Sequence, residues 1–232
     1  MNTIHPAIFS FLKSINEHNT REFFALIRPL YDEILKNIKS FCDEVIIKME
    51  NSNLQNISSK QSMFRIYRDA RRLSPSDQIY KKNFSFAISQ EGKKSMFSKF
   101  YVHIESGASF VWGWIYYLES KQLRNLRYYM SEYWDNFRKI ILDKNFIKNF
   151  GKIYGQKTKP RMKKWTLNLD LVSYKQYLIN KKYSDEEVLA ENFMQKVLED
   201  YAIVKDFIDF LDNGVLYNER EKSKINPQND IL

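Results

Sequence analysis

Four arginines and one aspartate fall within eight residues, RIYRDARR, from Arg65 to Arg72. A guanidinium stays charged and offers paired donors, so a cluster of them suits a phosphate or a carboxylate. If the segment is a strand, alternation puts Arg65, Tyr67, Asp69 and Arg71 on one face and Phe64, Ile66 and Arg68 on the other. Arg65, Arg68 and Arg71 are therefore candidate ligand-binding residues. Tyr80 stands with them, and Asp69 orients an arginine. A second reading makes some of these arginines structural clamps that tie a strand end to a loop. Arg68, at the margin of the apolar face, is then partly buried and paired with a carboxylate such as Asp69 or Glu105, or with backbone carbonyls.

Proton transfer needs a different set. In KFYVHIES, Tyr101, His103 and Glu105 share one strand face, opposite Phe100, Val102 and Ile104. A histidine and a glutamate two residues apart can act as an acid/base pair or supply two metal ligands. The bland alternative is an ordinary sheet-face histidine. Asp69, Tyr80, His103 and Glu105 are the catalytic candidates. His5 and His18 are distant in sequence, and HxH, HExxH and cysteine clusters are lacking, so no metal site is expected. Without a P-loop, a dinucleotide fingerprint or a GxSxG elbow, no cofactor is expected.

Two further patterns have both a plain and a functional reading. Phe110, Trp112, Trp114 and Tyr116 line one strand face, as core filling or as a base-stacking platform. From Lys144 to Lys164 there are eight basic residues and no acid, which suits a solvated loop or phosphate contact.

The elements that position these groups follow from periodicity. Pro6 opens a short helix through about Asn16, and Asn19 or Thr20 caps the next. Apolar residues from Phe23 to Met49 keep helical spacing, interrupted by Pro29. NSNLQNISSKQS is a polar loop. MFRIYRD, YKKNFSFAIS, KFYVHIES and SFVWGWIYY then read as strands, rich in aromatic and β-branched residues. Ser106-Gly107-Ala108 marks a hairpin. Helical period returns from Ser120, followed by a basic connection at 151–165 and a helix near 170–178. Ser184 and Glu187 form a capping box, and a long final helix ends at Asn213-Gly214. Helices, strands, then helices predict an α+β fold: a single domain over residues 1–217, its antiparallel sheet flanked by N-terminal and C-terminal helices. Residues 218–232 are expected to form a flexible tail.

Composition sets the limits. The chain has 232 residues, 44% hydrophobic and 28% charged, enough for a real core. One cysteine, Cys42, rules out an internal disulfide and fits a buried thiol in a helical stripe. The longest apolar stretch is too short to span a membrane as a helix, no signal peptide is read, and a cytoplasmic location is expected. The net charge of +9 is uneven: −1 over residues 1–50, +15 over 51–165 and −5 over 166–232. Such a basic middle attracts an anionic partner or the acidic C-terminal part of the same fold.

HNTREFFALIRPLYDE, RIYRDARR, YVHIESGASFVWGWIYYLESKQLRNLR, FRKII and YLINKKYSDEEVL resemble, in order, successive blocks of the bacterial domain of unknown function 2461 family. The resemblance runs from about residue 10 to 212. The family's Arg-x-x-Arg-Asp-x-Arg stretch, followed by a Lys and a Tyr, is matched by Arg65, Arg68, Asp69, Arg71 and Tyr80. Two departures stand out. The stretch before Tyr80 is one residue longer and lacks the lysine. Trp112-Gly113-Trp114 stands where the family tends to have consecutive glycines, which implies a smaller or reshaped pocket if those glycines border one. The resemblance implies no established activity. The expectation is a soluble domain binding a small anionic ligand, with or without catalysis. The alternative is a non-catalytic module whose basic middle contacts nucleic acid or an acidic protein.

Overall fold

A computed structural model describes residues 3–218, apart from 70, 72, 75, 76, 117 and 159–168. The N-terminal helices are α1 (Ile8–Glu17), α2 (Arg21–Leu26) and α3 (Arg28–Lys48). Thr20 caps α2 by accepting from the Phe23 N–H. The stripe predicted from Phe23 breaks at Ile27, and Pro29 sits in the first turn of α3. Proline lacks the N–H that would bond back into the preceding turn, so a new helix starts there. The polar loop contains a 3-10 turn (Ser52–Leu54) and a short α4 (Ser59–Ser62).

The strands are β1 (Phe84–Ile88), β2 (Lys99–Ile104), β3 (Ser109–Ile115) and β4 (Tyr177–Tyr183). They form one antiparallel sheet in the order β1-β2-β3-β4, so the predicted α+β fold class holds. In β2 and β3, Phe100, Val102, Ile104, Val111 and Ile115 are buried, while Tyr101, His103, Phe110, Trp112 and Trp114 on the alternate positions are half-buried. The aromatic row of β3 therefore lies on the less covered face, and the aliphatic positions take the core. Gly107, at a φ of 69°, turns the β2–β3 hairpin, where the Ala108 N–H donates to the Glu105 carbonyl.

Three expectations fail here. MFRIYRD is not a strand. Met63 bridges Phe86, while Tyr67 bridges Tyr80, so the segment changes partner part-way and never builds a ladder. The helix near 170–178 is only α8 (Leu169–Val172), and YLINKKY is β4. The final helix α10 (Phe193–Leu216) runs through Gly214. That glycine is there for close approach: a Cβ would lie 2.4 Å from Leu126 Cδ1. The capping box forms as predicted but starts only α9 (Asp185–Leu189).

After the sheet come α5 (Ser120–Glu132), α6 (Trp134–Ile141) and α7 (Lys144–Phe150). The chain forms two compact units, interleaved in sequence. The first comprises residues 1–95, 99–112 and 180–202, with Phe11, Ile34, Phe41, Phe86, Val102 and Phe193 in its core. The second comprises 96–98, 113–179 and 203–232, and Phe137 stacks there between Phe207 and Phe210. Cys42 is fully buried, as expected. Among the described residues no helix is long and apolar enough to cross a membrane. Beyond Asn218 the predicted tail lies outside the described residues, as does the connection from Lys159 onward.

Candidate functional site

The site grows from the register of β1 on β2. Phe84 faces Ile104, Ser85 faces His103 and Ala87 faces Tyr101. Small residues thus stand across from the two rings. The His103 Nε2 lies 2.9 Å from Glu105 Oε2, and its Nδ1 lies 3.1 Å from the Tyr101 hydroxyl. Lys82 Nζ reaches the other glutamate oxygen at 2.9 Å. Phe110 stacks on the imidazole, ring centres 4.4 Å apart and planes within 9°.

Electrostatics fix the direction of this chain. Burial works to raise the Glu105 carboxyl. Hydrogen bonds from Lys82 and His103, with the Lys82 charge, outweigh it and hold the group below the ordinary carboxylate range. An ionised carboxylate only accepts, so Nε2 carries the proton and donates it to Glu105. Burial lowers His103, against the pull of Glu105, so the ring is neutral near pH 7. Nδ1 is then an acceptor for the Tyr101 O–H. Tyr101 is itself raised by burial and hydrogen-bonded by Ser85. The result is a polarised relay, Ser85–Tyr101–His103–Glu105–Lys82, with an imidazole held in one tautomer.

Beside the relay stand two cations. The Tyr67–Tyr80 bridge brings the Lys81 N–H to the Ile66 carbonyl at 2.8 Å and the Arg68 N–H to the Ile79 carbonyl at 2.9 Å. Arg68 and Lys81 are thereby diagonal neighbours. Lys81 is half-buried with its ammonium 5.5 Å from the centre of the Phe64 ring. Burial first, and the Arg68 charge second, lower its pKa. Among the described residues neither Arg68 nor Lys81 has a carboxylate within ion-pair distance. Lys81 and Lys82 also act on His103.

Other nominated residues lie elsewhere. Arg71 folds back on Asp69 through two bonds of 3.0 Å, Nε to Oδ1 and Nη2 to Oδ2, on the exposed surface. Arg65 is exposed, near Lys93. Because 63–69 is no strand, its even and odd residues do not form the two regular faces expected. Arg68 is exposed rather than clamped, since its backbone is the part that is tied down. Tyr80 is buried, its ring stacked 4.3 Å from Phe24 and its N–H bound to Asn19. Among the described residues no cluster of three or more histidines, cysteines or acids could hold a metal. Lys81 and Lys82 were missed. Extending the β1–β2 register one pair beyond Phe84–Ile104 sets Asn83 across from Glu105, with Lys82 next along the chain and within reach of it.

A family model described as "Conserved hypothetical protein (DUF2461)" matches residues 7–210. The chain belongs to this family. No curated protein and no solved structure matches it. The family match spans all four strands and therefore the whole relay. At the position where the resemblance pointed to consecutive glycines, Gly113 remains. A Cβ there would meet Ile179 side-chain carbons at 3.1 Å, so the space is already filled by packing.

Proposed function

We propose that this chain binds a small phosphate- or carboxylate-bearing ligand beside His103, between Arg68, Lys81 and Lys82, and that His103 transfers a proton there. The observation that carries the reading is the Arg68–Lys81 pair. Two like charges stand as diagonal neighbours, one half-buried against an aromatic ring, with no carboxylate within ion-pair distance of either among the described residues. Such an arrangement costs free energy that a bound anion would return. The neutral imidazole, with its tautomer set by Glu105, is the group equipped for acid–base work. A lone buried thiol fits a reducing cytoplasm as the setting.

Titration calorimetry with inorganic phosphate and pyrophosphate tests the proposal. Arg68→Met and Lys81→Met should each weaken binding about tenfold or more, from loss of a charge-assisted contact of roughly 1.5–3 kcal/mol. Arg71→Met, which removes an arginine already held by Asp69, should leave binding unchanged. Equal affinity across all variants removes the reading. Binding to oligonucleotides that tightens with length and displaces phosphate would replace it with a nucleic-acid module.

A further inference from the structure

The second unit contains a cleft of about 420 Å³, lined mainly by Leu142, Phe146, Ile147, Ile153, Leu171 and Tyr174. That volume lies in the range of small-molecule sites, roughly 300–1,000 Å³. Phe146 and Ile153 are buried in its floor, but Leu142 is 53% exposed and Ile147 46%. Two large aliphatic side chains on one concave surface keep an unfavourable contact with water.

The polar groups of the cleft are asymmetric. Asp170 is held by Lys157 at 2.5 Å, so its charge is matched. The Tyr174 hydroxyl donates to the Ile153 carbonyl at 3.3 Å, and Lys157 covers its ring at 4.8 Å. Lys152 is exposed and has no ion pair among the described residues. The described part of this stretch, Lys144 to Thr158, holds four bases and no acid. An apolar trough with an unmatched positive rim is complementary to a molecule with an aliphatic body and a negative end.

We propose that this cleft binds a small amphiphilic carboxylate, its aliphatic chain lying on Leu142, Phe146, Ile147 and Leu171 and its head paired with Lys152. The limited volume selects a short or medium chain over a membrane surface or a partner helix. This site is separate from the relay at His103 and does not depend on it.

The test is titration calorimetry of the full chain with hexanoate, octanoate and decanoate below their micelle concentrations. Octanol and octylamine serve as head-group controls. Affinity should rise about fourfold per added methylene until the cleft is filled. Octanol should bind at least tenfold more weakly than octanoate, and octylamine more weakly still. Lys152→Met should bring octanoate down to the level of octanol. Ile147→Asp or Leu142→Asp, each at an exposed position, should abolish octanoate binding with an unchanged melting temperature. No saturable heat at any chain length, affinity independent of length, or equal binding of octylamine would overturn the proposal. So would binding only to vesicles, or a second copy of the chain occupying the cleft.

Discussion

Asp200 offers the sharpest test of the packing argument. It sits on α10 with its side chain 1% exposed, and Lys181 Nζ on β4 donates to Oδ1 at 2.6 Å. The Tyr183 hydroxyl donates to Oδ2 at 2.5 Å. Burial raises the Asp200 pKa against both partners, so the carboxylate stays charged only through them. Removing one member of a buried ion pair costs about 3–5 kcal/mol when the other is stranded. Lys181 is 26% exposed and can turn to water, which lowers the figure. Tyr183 is buried and cannot. Asp200→Asn should therefore cost about 2–4 kcal/mol, because the amide keeps one acceptor oxygen for two donors, the Tyr183 hydroxyl and the Lys181 ammonium. For a chain of this length the melting temperature should fall by roughly 5–15 °C. Urea unfolding of Asp200→Asn, Tyr183→Phe and the double variant is the assay. The double variant should cost at least 1 kcal/mol less than the sum of the singles, as expected for groups in direct contact. A cost below about 0.5 kcal/mol for Asp200→Asn, or strict additivity, would show that the triad is not under tension with solvent.

Three further outcomes are expected. The folded pKa of His103 lies below its unfolded value of about 6.5, so the unfolded chain takes up the proton first. Its contribution is complete above about pH 6.5 and is lost as pH falls through the folded value; urea midpoints between about pH 7.5 and 5 should decline, and His103→Gln should flatten the decline. Gly214→Ala should destabilise by about 1–2 kcal/mol in thermal unfolding despite better helix propensity, because the new Cβ meets Leu126. Ser184→Ala should cost about 1 kcal/mol by removing the acceptor of the Glu187 N–H.

The parts of the fold legible in the sequence were those governed by one local rule. The Thr20 cap, the restart at Pro29, the Ser184–Glu187 box and the 106–108 turn each depend on a few neighbouring residues, and each formed. The failures came where a distant partner decides. YLINKKY carries two lysines at its centre and shows no clean alternation. It becomes a strand because β3 pairs with it and because Asp200 receives Lys181. Gly214 reads as a helix stop, yet its role is set by Leu126, nearly ninety residues away in the chain. MFRIYRD misled for the same reason. Its apolar residues resemble a strand, but its two bridging partners lie on different segments.

Core and candidate site are coupled through a single register. Placing Phe100, Val102 and Ile104 inward necessarily places Tyr101, His103 and Glu105 on the other face. Pairing Phe84 with Ile104 then brings Ser85 to His103 and Lys82 within reach of Glu105. A slip of one residue would bury His103 and Glu105 and expose three core side chains. The hydrophobic pattern that any stable sheet needs thus also enforces the relay. Arg68 and Lys81 are set diagonally by the Tyr67–Tyr80 bridge, where Ile66 and Tyr80 are buried, but no core requirement dictates that both positions be cationic. Their adjacency arises where the chain leaves β1's edge for the 79–81 segment, and it brings like charges near each other. Packing explains the relay's geometry; the proposed anion site is placed instead at the paired cations, where like charges lie close together.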